Sequence, residues 1–203
     1  MYWWEREFKE WWNNPDHNDR TDSQRRKVYA AERVTRAQFV DQQQYFTSIE
    51  EMQKYVDHLT SLAWFTRRFG VCDITVLTRR SNAKARGTCS GSSTRYRRRG
   101  WVKMPAWSWK VDTLLHEVVH AVLPNEAGAS HARCFARALL DVNRLALPKS
   151  YARAFHDELK IQFKKHNVKY NPKRRLTEAT RQKLRENFVS NALGRKAAEK
   201  KGG

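Results

Sequence analysis

Between Leu114 and Val122 the chain reads Leu-Leu-His-Glu-Val-Val-His-Ala-Val. Leu114, Leu115, Val118, Val119 and Val122 leave a helix here no polar face, so it belongs in the interior. Two histidines four residues apart stand one helical turn apart on one side, with Glu117 between them in sequence. Burying three such groups without compensation is costly. Any fold containing this segment must therefore wrap a buried helix and supply a partner for His116, Glu117 and His120.

The His-Glu-x-x-His spacing suggests that partner. Two neutral imidazoles on one face can share a zinc ion, with room for a third protein ligand and a water. Glu117 lies one residue on, too close to reach the same ion comfortably, and is placed to accept a proton from a water at the metal. For the third ligand His131 is favoured: it follows His120 by eleven residues, after a turn marked by Pro124 and Gly128. Glu126 competes, but Leu123 occupies the position where a glycine would permit the sharp turn that Glu126 requires. His156 and His166 read as structural or surface residues.

The rest of the chain predicts an α+β fold: a small antiparallel or mixed sheet packed on the His116 helix, in a mostly helical domain whose His-Glu-x-x-His helix resembles that of the zincins. Residues 1–22 form an aromatic extension, with Trp4, Phe8, Trp11 and Trp12 at helical spacing before Asn13-Asn14-Pro15. The domain spans 23–170. A first helix is expected from Ser23 to about Gln38, with Val28, Ala31 and Val34 inward. Ser48 and Glu51 have the form of a capping box for a second, whose stripe runs Met52, Val56, Leu59, Leu62 and whose natural stop is Gly70. Val71–Thr78 and Thr94–Met104 read as strands separated by a loop. Trp109–Leu123 reads as the motif helix, Ser130 as the cap of the next, and Tyr151, Phe155, Leu159 and Phe163 as the stripe of a last one. Residues 171–203 form a basic helical or partly disordered tail.

Charge adds a second constraint. Forty Lys and Arg against 21 Asp and Glu give a net charge of +19 and a pI near 10.3, which favours anionic partners, DNA or another nucleic acid first. Between Asp73 and Asp112 every charged residue is basic. Arg97, Arg98 and Arg99 there, and Lys173, Arg174 and Arg175 in the tail, are the candidate nucleic-acid contacts. Cys72, Cys89 and Cys134 lack CxxC spacing, the N-terminus has no export-signal pattern, and no segment approaches transmembrane length. A cytoplasmic protein is expected.

His116-Glu117-Val118-Val119-His120 followed by Ser130-His131-Ala132-Arg133-Cys134-Phe135 resembles the HExxH…HGxxF arrangement of SprT-like metallopeptidases. The chain is also similar to a family of small zinc metallohydrolases from actinobacteria and their phages. That similarity extends to Arg26-Lys27-Val28-Tyr29-Ala30-Ala31-Glu32 and to the strand ending Met104-Pro105, over roughly residues 23–170. The resemblance implies zinc ligands at His116, His120 and His131, a catalytic glutamate at Glu117, and a host-cytoplasmic location if the chain is phage-encoded. Ala129 and Ala132 replace the flanking glycines of the SprT pattern.

The activity expected is hydrolysis of a peptide bond in a protein or peptide substrate, near nucleic acid, with the substrate lying along the strand that ends at Met104. Tyr96, Tyr151 or an arginine would stabilise the oxyanion. Two alternatives remain. One is a nucleic-acid-binding protein with a structural zinc closed by Cys134, three residues after His131. The other is a zinc amidase acting on another amide.

Overall fold

Glycines decide how closely this sheet can approach its helix. A computed structural model describes residues 22–89, 98–123 and 131–170. Among them are helices α1 (Arg25–Gln38), α2 (Ile49–Ser61) and α3 (Ala63–Phe69), and strands β1 (Cys72–Arg79), β2 (Arg86–Cys89) and β3 (Arg98–Pro105). Helices α4 (Val111–Val122), α5 (Arg133–Ala146) and α6 (Ala152–Lys165) follow. The fold is α+β, mostly helical, with a three-stranded mixed sheet in the order β1-β3-β2: β1 runs parallel to β3, and β2 antiparallel.

One face of the sheet, carrying Cys72, Ile74, Val76, Val102 and Met104, is buried. Helix α4 lies under β2 and β3 and also packs on α5. Gly87 and Gly100 make this possible. A Cβ on Gly87 would stand 1.9 Å from the Glu117 carbonyl oxygen, and one on Gly100 would stand 2.8 Å from that of Ala121. Every residue of α4 except Thr113 is buried as a result. Helix α5 then packs on α6, and α6 on α1.

Polar clamps fix the register of these layers. Gln53 of α2 donates to the Ile74 carbonyl (2.9 Å) and accepts from the Val76 amide (2.7 Å), so its side chain pairs with β1 as a neighbouring strand would. The Phe46 amide donates to Trp109 and the Val111 amide to Gln44, both at 3.0 Å, which pins the approach to α4. Arg36 of α1 pairs with Glu32 (3.0 Å) and with Asp112 (2.5 Å) in the first turn of α4.

Several sequence expectations shift. The inward stripe of α1 is Val28, Ala31, Glu32 and Thr35, while Val34 is only half-buried; the interior here accepts a carboxylate because Arg36 and His116 meet it. Ser48 caps α2 as read, but Glu51 reaches the amide and hydroxyl of Thr47. The apolar stripe breaks at Leu62, whose backbone is extended, and resumes through Phe65 and Phe69 of α3 before Gly70 stops it at φ +81°. The motif helix begins at Val111, after a 3-10 turn over Ala106–Ser108. Ala132, not Ser130, is the N-cap of α5. Strand β2 lies where a loop was expected, because a short segment with Gly87 in it shows little alternation. Strand β3 is consequently central, so the strand ending at Met104 offers no free edge.

Gly87→Ala should destabilise the protein by about 1–3 kcal/mol or more, since backbone rather than a flexible side chain opposes the new methyl. Gly100→Ala should cost less. Thermal melting of the two variants checks the order.

Candidate metal centre

Helix α4 positions two of the three candidate ligands. His116 and His120 project from successive turns, and their Nε2 atoms lie 3.2 Å apart. His131, in the extended segment just before α5, brings its own Nε2 to 3.3 Å from that of His116. All three residues are buried, and their ligand-type nitrogens lie within 4.8 Å of one another. This is the only such group among the described residues. The set could hold a metal ion. Glu126 lies outside the described residues, and Cys134, though buried nearby in sequence, is not in the group. Burial pushes the Cys134 thiol up to about 12, and it packs with Ala132 and Leu123.

The outer ring atoms of His116 and His131 explain why their Nε2 atoms face inward. His116 Nδ1 meets Glu32 of α1 at 2.9 Å. His131 Nδ1 lies 3.1 Å from both oxygens of Asp22, and the His131 amide donates to the same carboxylate at 2.7 Å. A carboxylate on Nδ1 places the ring proton there and leaves Nε2 as a lone-pair donor. Asp22 adopts φ +49°, a left-handed conformation that Asp tolerates better than most residues. Gln24 secures the same corner, donating to the His131 carbonyl (3.3 Å) and accepting from the Lys169 amide.

Aromatic rings enclose the cluster. Phe135 of α5 lies 4.2 Å from the His120 ring, 4.7 Å from His131 and 4.9 Å from His116, measured between centroids. On another side Tyr29 stacks on His116 at 5.3 Å and lies 4.9 Å from His131. Tyr29 remains 40% exposed, so the cluster is covered on this side by a ring that itself meets solvent.

The electrostatics follow from this packing. Burial alone would raise the Glu32 carboxyl, but His116 and Arg36 outweigh it and hold it at about 2. Burial favours neutral His116, yet Glu32 prevails and draws its pKa upward. His131 is depressed to about 4 by burial and by His116, despite Asp22. Glu117 is raised, chiefly by burial, against the opposing pull of His116 and of the Gly87 amide. That amide donates to Glu117 Oε2 at 2.5 Å, so strand β2 holds the carboxylate directly.

Sequence reasoning therefore named the residues that converge, but missed those that hold them: Asp22, Glu32, Gly87, Tyr29 and Phe135. Glu32 and Tyr29 lay within the segment quoted for its resemblance, and Phe135 within the second motif; for Asp22 and Gly87 no local signal exists. Tyr151 is buried against Phe39 and Phe155 rather than beside the histidines. Tyr96 lies outside the described residues, as do Arg97, Lys173, Arg174 and Arg175. Arg98 opens β3, and Arg99 is exposed on the sheet face opposite α4, away from the cluster. His156 pairs with Asp157 at 2.8 Å and His166 caps α6. Compared with protein-family models, curated proteins and solved structures, the chain matches none.

Asp22→Asn and Glu32→Gln should each weaken metal affinity by about 10–100-fold with the three histidines intact, read by chelator competition. In metal-free protein Glu32 has a second signature. Its pKa falls from an ordinary 4.5 to about 2 on folding. Its stabilisation is therefore full above pH 4.5 and is lost as pH falls from there through about 2. Glu32→Gln should flatten that segment of the acid-unfolding curve.

Proposed function

We propose that this chain is a zinc-dependent metallohydrolase of the HExxH, SprT-like type, cleaving a peptide bond in a protein or peptide substrate. The observation carrying this reading is the separation of the imidazole nitrogens. Zinc–nitrogen bonds of about 2.0–2.1 Å at tetrahedral angles set ligands about 3.3 Å apart. In the structure the two separations are 3.2 and 3.3 Å. In their neutral forms, with the ring proton held on Nδ1 by Glu32 and by Asp22, His116 and His131 have no hydrogen bond to offer each other at that distance, whereas a bound cation would satisfy both inward lone pairs.

Three nitrogen ligands leave a tetrahedral position open, and no further Cys, Asp, Glu or His joins the group among the described residues. That favours a catalytic over a purely structural role. An ion in such a site supplies acidification of a water and polarisation of a carbonyl. Glu117 takes the proton of the attacking water and returns it to the departing nitrogen, the role its place beside both ligands suits. The Gly87 amide fixes its orientation.

Tyr29 supplies the neutral donor for the developing oxyanion. Burial and the Glu117 and Glu32 carboxylates push its hydroxyl up to about 12, so it stays protonated. Arg25 lies 5.7 Å from its ring centre and steadies it. The substrate backbone runs along β2, the terminal strand whose Gly87 touches Glu117. No helix among the described residues is long and apolar enough to cross a membrane.

The purified protein should carry about one equivalent of zinc. Glu117→Gln should retain it while losing about two to four orders of magnitude in kcat on an unstructured protein substrate. Tyr29→Phe should lose roughly 100-fold in kcat with little change in KM. A Glu117→Gln variant that still cleaves at the parent rate would leave zinc with a structural role.

A further inference from the structure

The sheet has a second face, and nothing in the proposed chemistry uses it. Side chains alternate along each strand, so the residues that do not face α4 can be read from the register. Arg86, Lys103 and Leu77 stand abreast across β2, β3 and β1. Thr88, Trp101 and Thr75 form the next row, and Arg99 with Asp73 the one beyond. Arg86, Lys103 and Arg99 are exposed and Trp101 is half-buried. No ion pair engages those three cations among the described residues. At the Lys103 end the face opens into a groove of about 530 Å3 lined by Leu77, Arg79, Arg80 and Lys103, among others.

We propose that this face binds single-stranded nucleic acid, with Trp101 as a stacking platform and Arg86, Lys103 and Arg99 as phosphate contacts. Three features select this occupant. The first is charge: the only acid in the three rows is Asp73, so an anionic polymer is the complementary partner. The second is order. Along β3 the sequence cation–aromatic–cation places Arg99 and Lys103 each about 7 Å from Trp101, on the order of one extended nucleotide. A base on the indole would then have its flanking phosphates near a cation on either side. The third is shape. A double helix keeps its bases stacked inside and cannot offer one to a half-buried indole on a sheet; a single strand can. The groove beyond Lys103, bordered by Arg79 and Arg80, continues the basic track.

Gly100 faces Ala121 of α4 while its neighbours Arg99 and Trp101 face the other way. The face is therefore separated from the histidines by the thickness of the sheet, and the strand would tether the protein without entering the metal centre. The inference is independent of what the histidines hold.

The test is fluorescence anisotropy of a labelled oligothymidylate of about 12 nucleotides with the full chain, and with a duplex of equal length as competitor. The wild type should prefer the single strand. Arg86→Glu/Lys103→Glu should weaken its binding at least tenfold and make it less salt-dependent. Trp101→Ala should weaken the single strand about tenfold while leaving duplex affinity unchanged, and Trp101→Phe should restore most of the loss. The charge reversals are on exposed side chains, so their result stands even if Trp101→Ala melts early. Unchanged oligothymidylate binding in the double reversal would overturn the proposal. So would equal losses for duplex and single strand in Trp101→Ala or in Trp101→Phe, which would leave only diffuse electrostatic attraction.

Discussion

Three imidazole nitrogens pointing at one spot inside an apolar shell form the arrangement on which the rest of this structure depends. Each ring alone would settle as an ordinary core residue with one hydrogen bond. Together they crowd lone pairs at 3.2 and 3.3 Å, which either a proton or a cation must occupy. The chain treats the spot as one meant for positive charge. Asp22 and Glu32 stand behind two of the rings, and Glu117 lies beside them, while Arg36 is held off by Glu32 and Asp112. Helix α1 is shaped by this need: its buried stripe includes a carboxylate at the point where an aliphatic residue would otherwise pack.

The same constraint reaches the sheet. For Glu117 to be oriented by backbone rather than by another charged side chain, a strand must come within hydrogen-bond distance of the helix. Only glycine at position 87 allows that approach. The sheet therefore does two things at once: its inner face closes the core over α4, and its terminal strand becomes part of the site. This explains why so short a strand lies where the sequence pattern shows only a break between two longer ones.

What could be read from the sequence divides along the same line. His116, Glu117 and His120 were legible because they are local, fixed by one helical turn. His131 was legible because a turn and a short distance return the chain to the same place. The α2 stripe and the alternation of Trp101, Val102, Lys103 and Met104 were legible for the same reason. What was not legible is non-local. Glu32 meets His116 across 84 residues and Asp22 meets His131 across 109. Neither pairing leaves a periodic trace, and a lone acid among basic neighbours reads as a solvated one. Gly87 carries no pattern, because its role is to have no side chain. The central position of β3 was hidden in turn, since placing it between two partners requires recognising β2.

The chain's positive charge acquires a more definite meaning once the sheet is known. A net charge of +19 spread evenly would repel itself and direct nothing. Between Asp73 and Asp112, however, the alternation that sends Val102, Met104 and Gly100 toward α4 must send Arg99, Trp101 and Lys103 outward. The cations are thus gathered on one face by the same periodicity that builds the core, and an aromatic residue is carried to their centre. Solubility alone would explain lysines and arginines there; it gives no reason for tryptophan between threonines on an outward row. On the proposed reading, that residue is what separates a surface merely tolerant of water from one suited to a flat, anionic ligand.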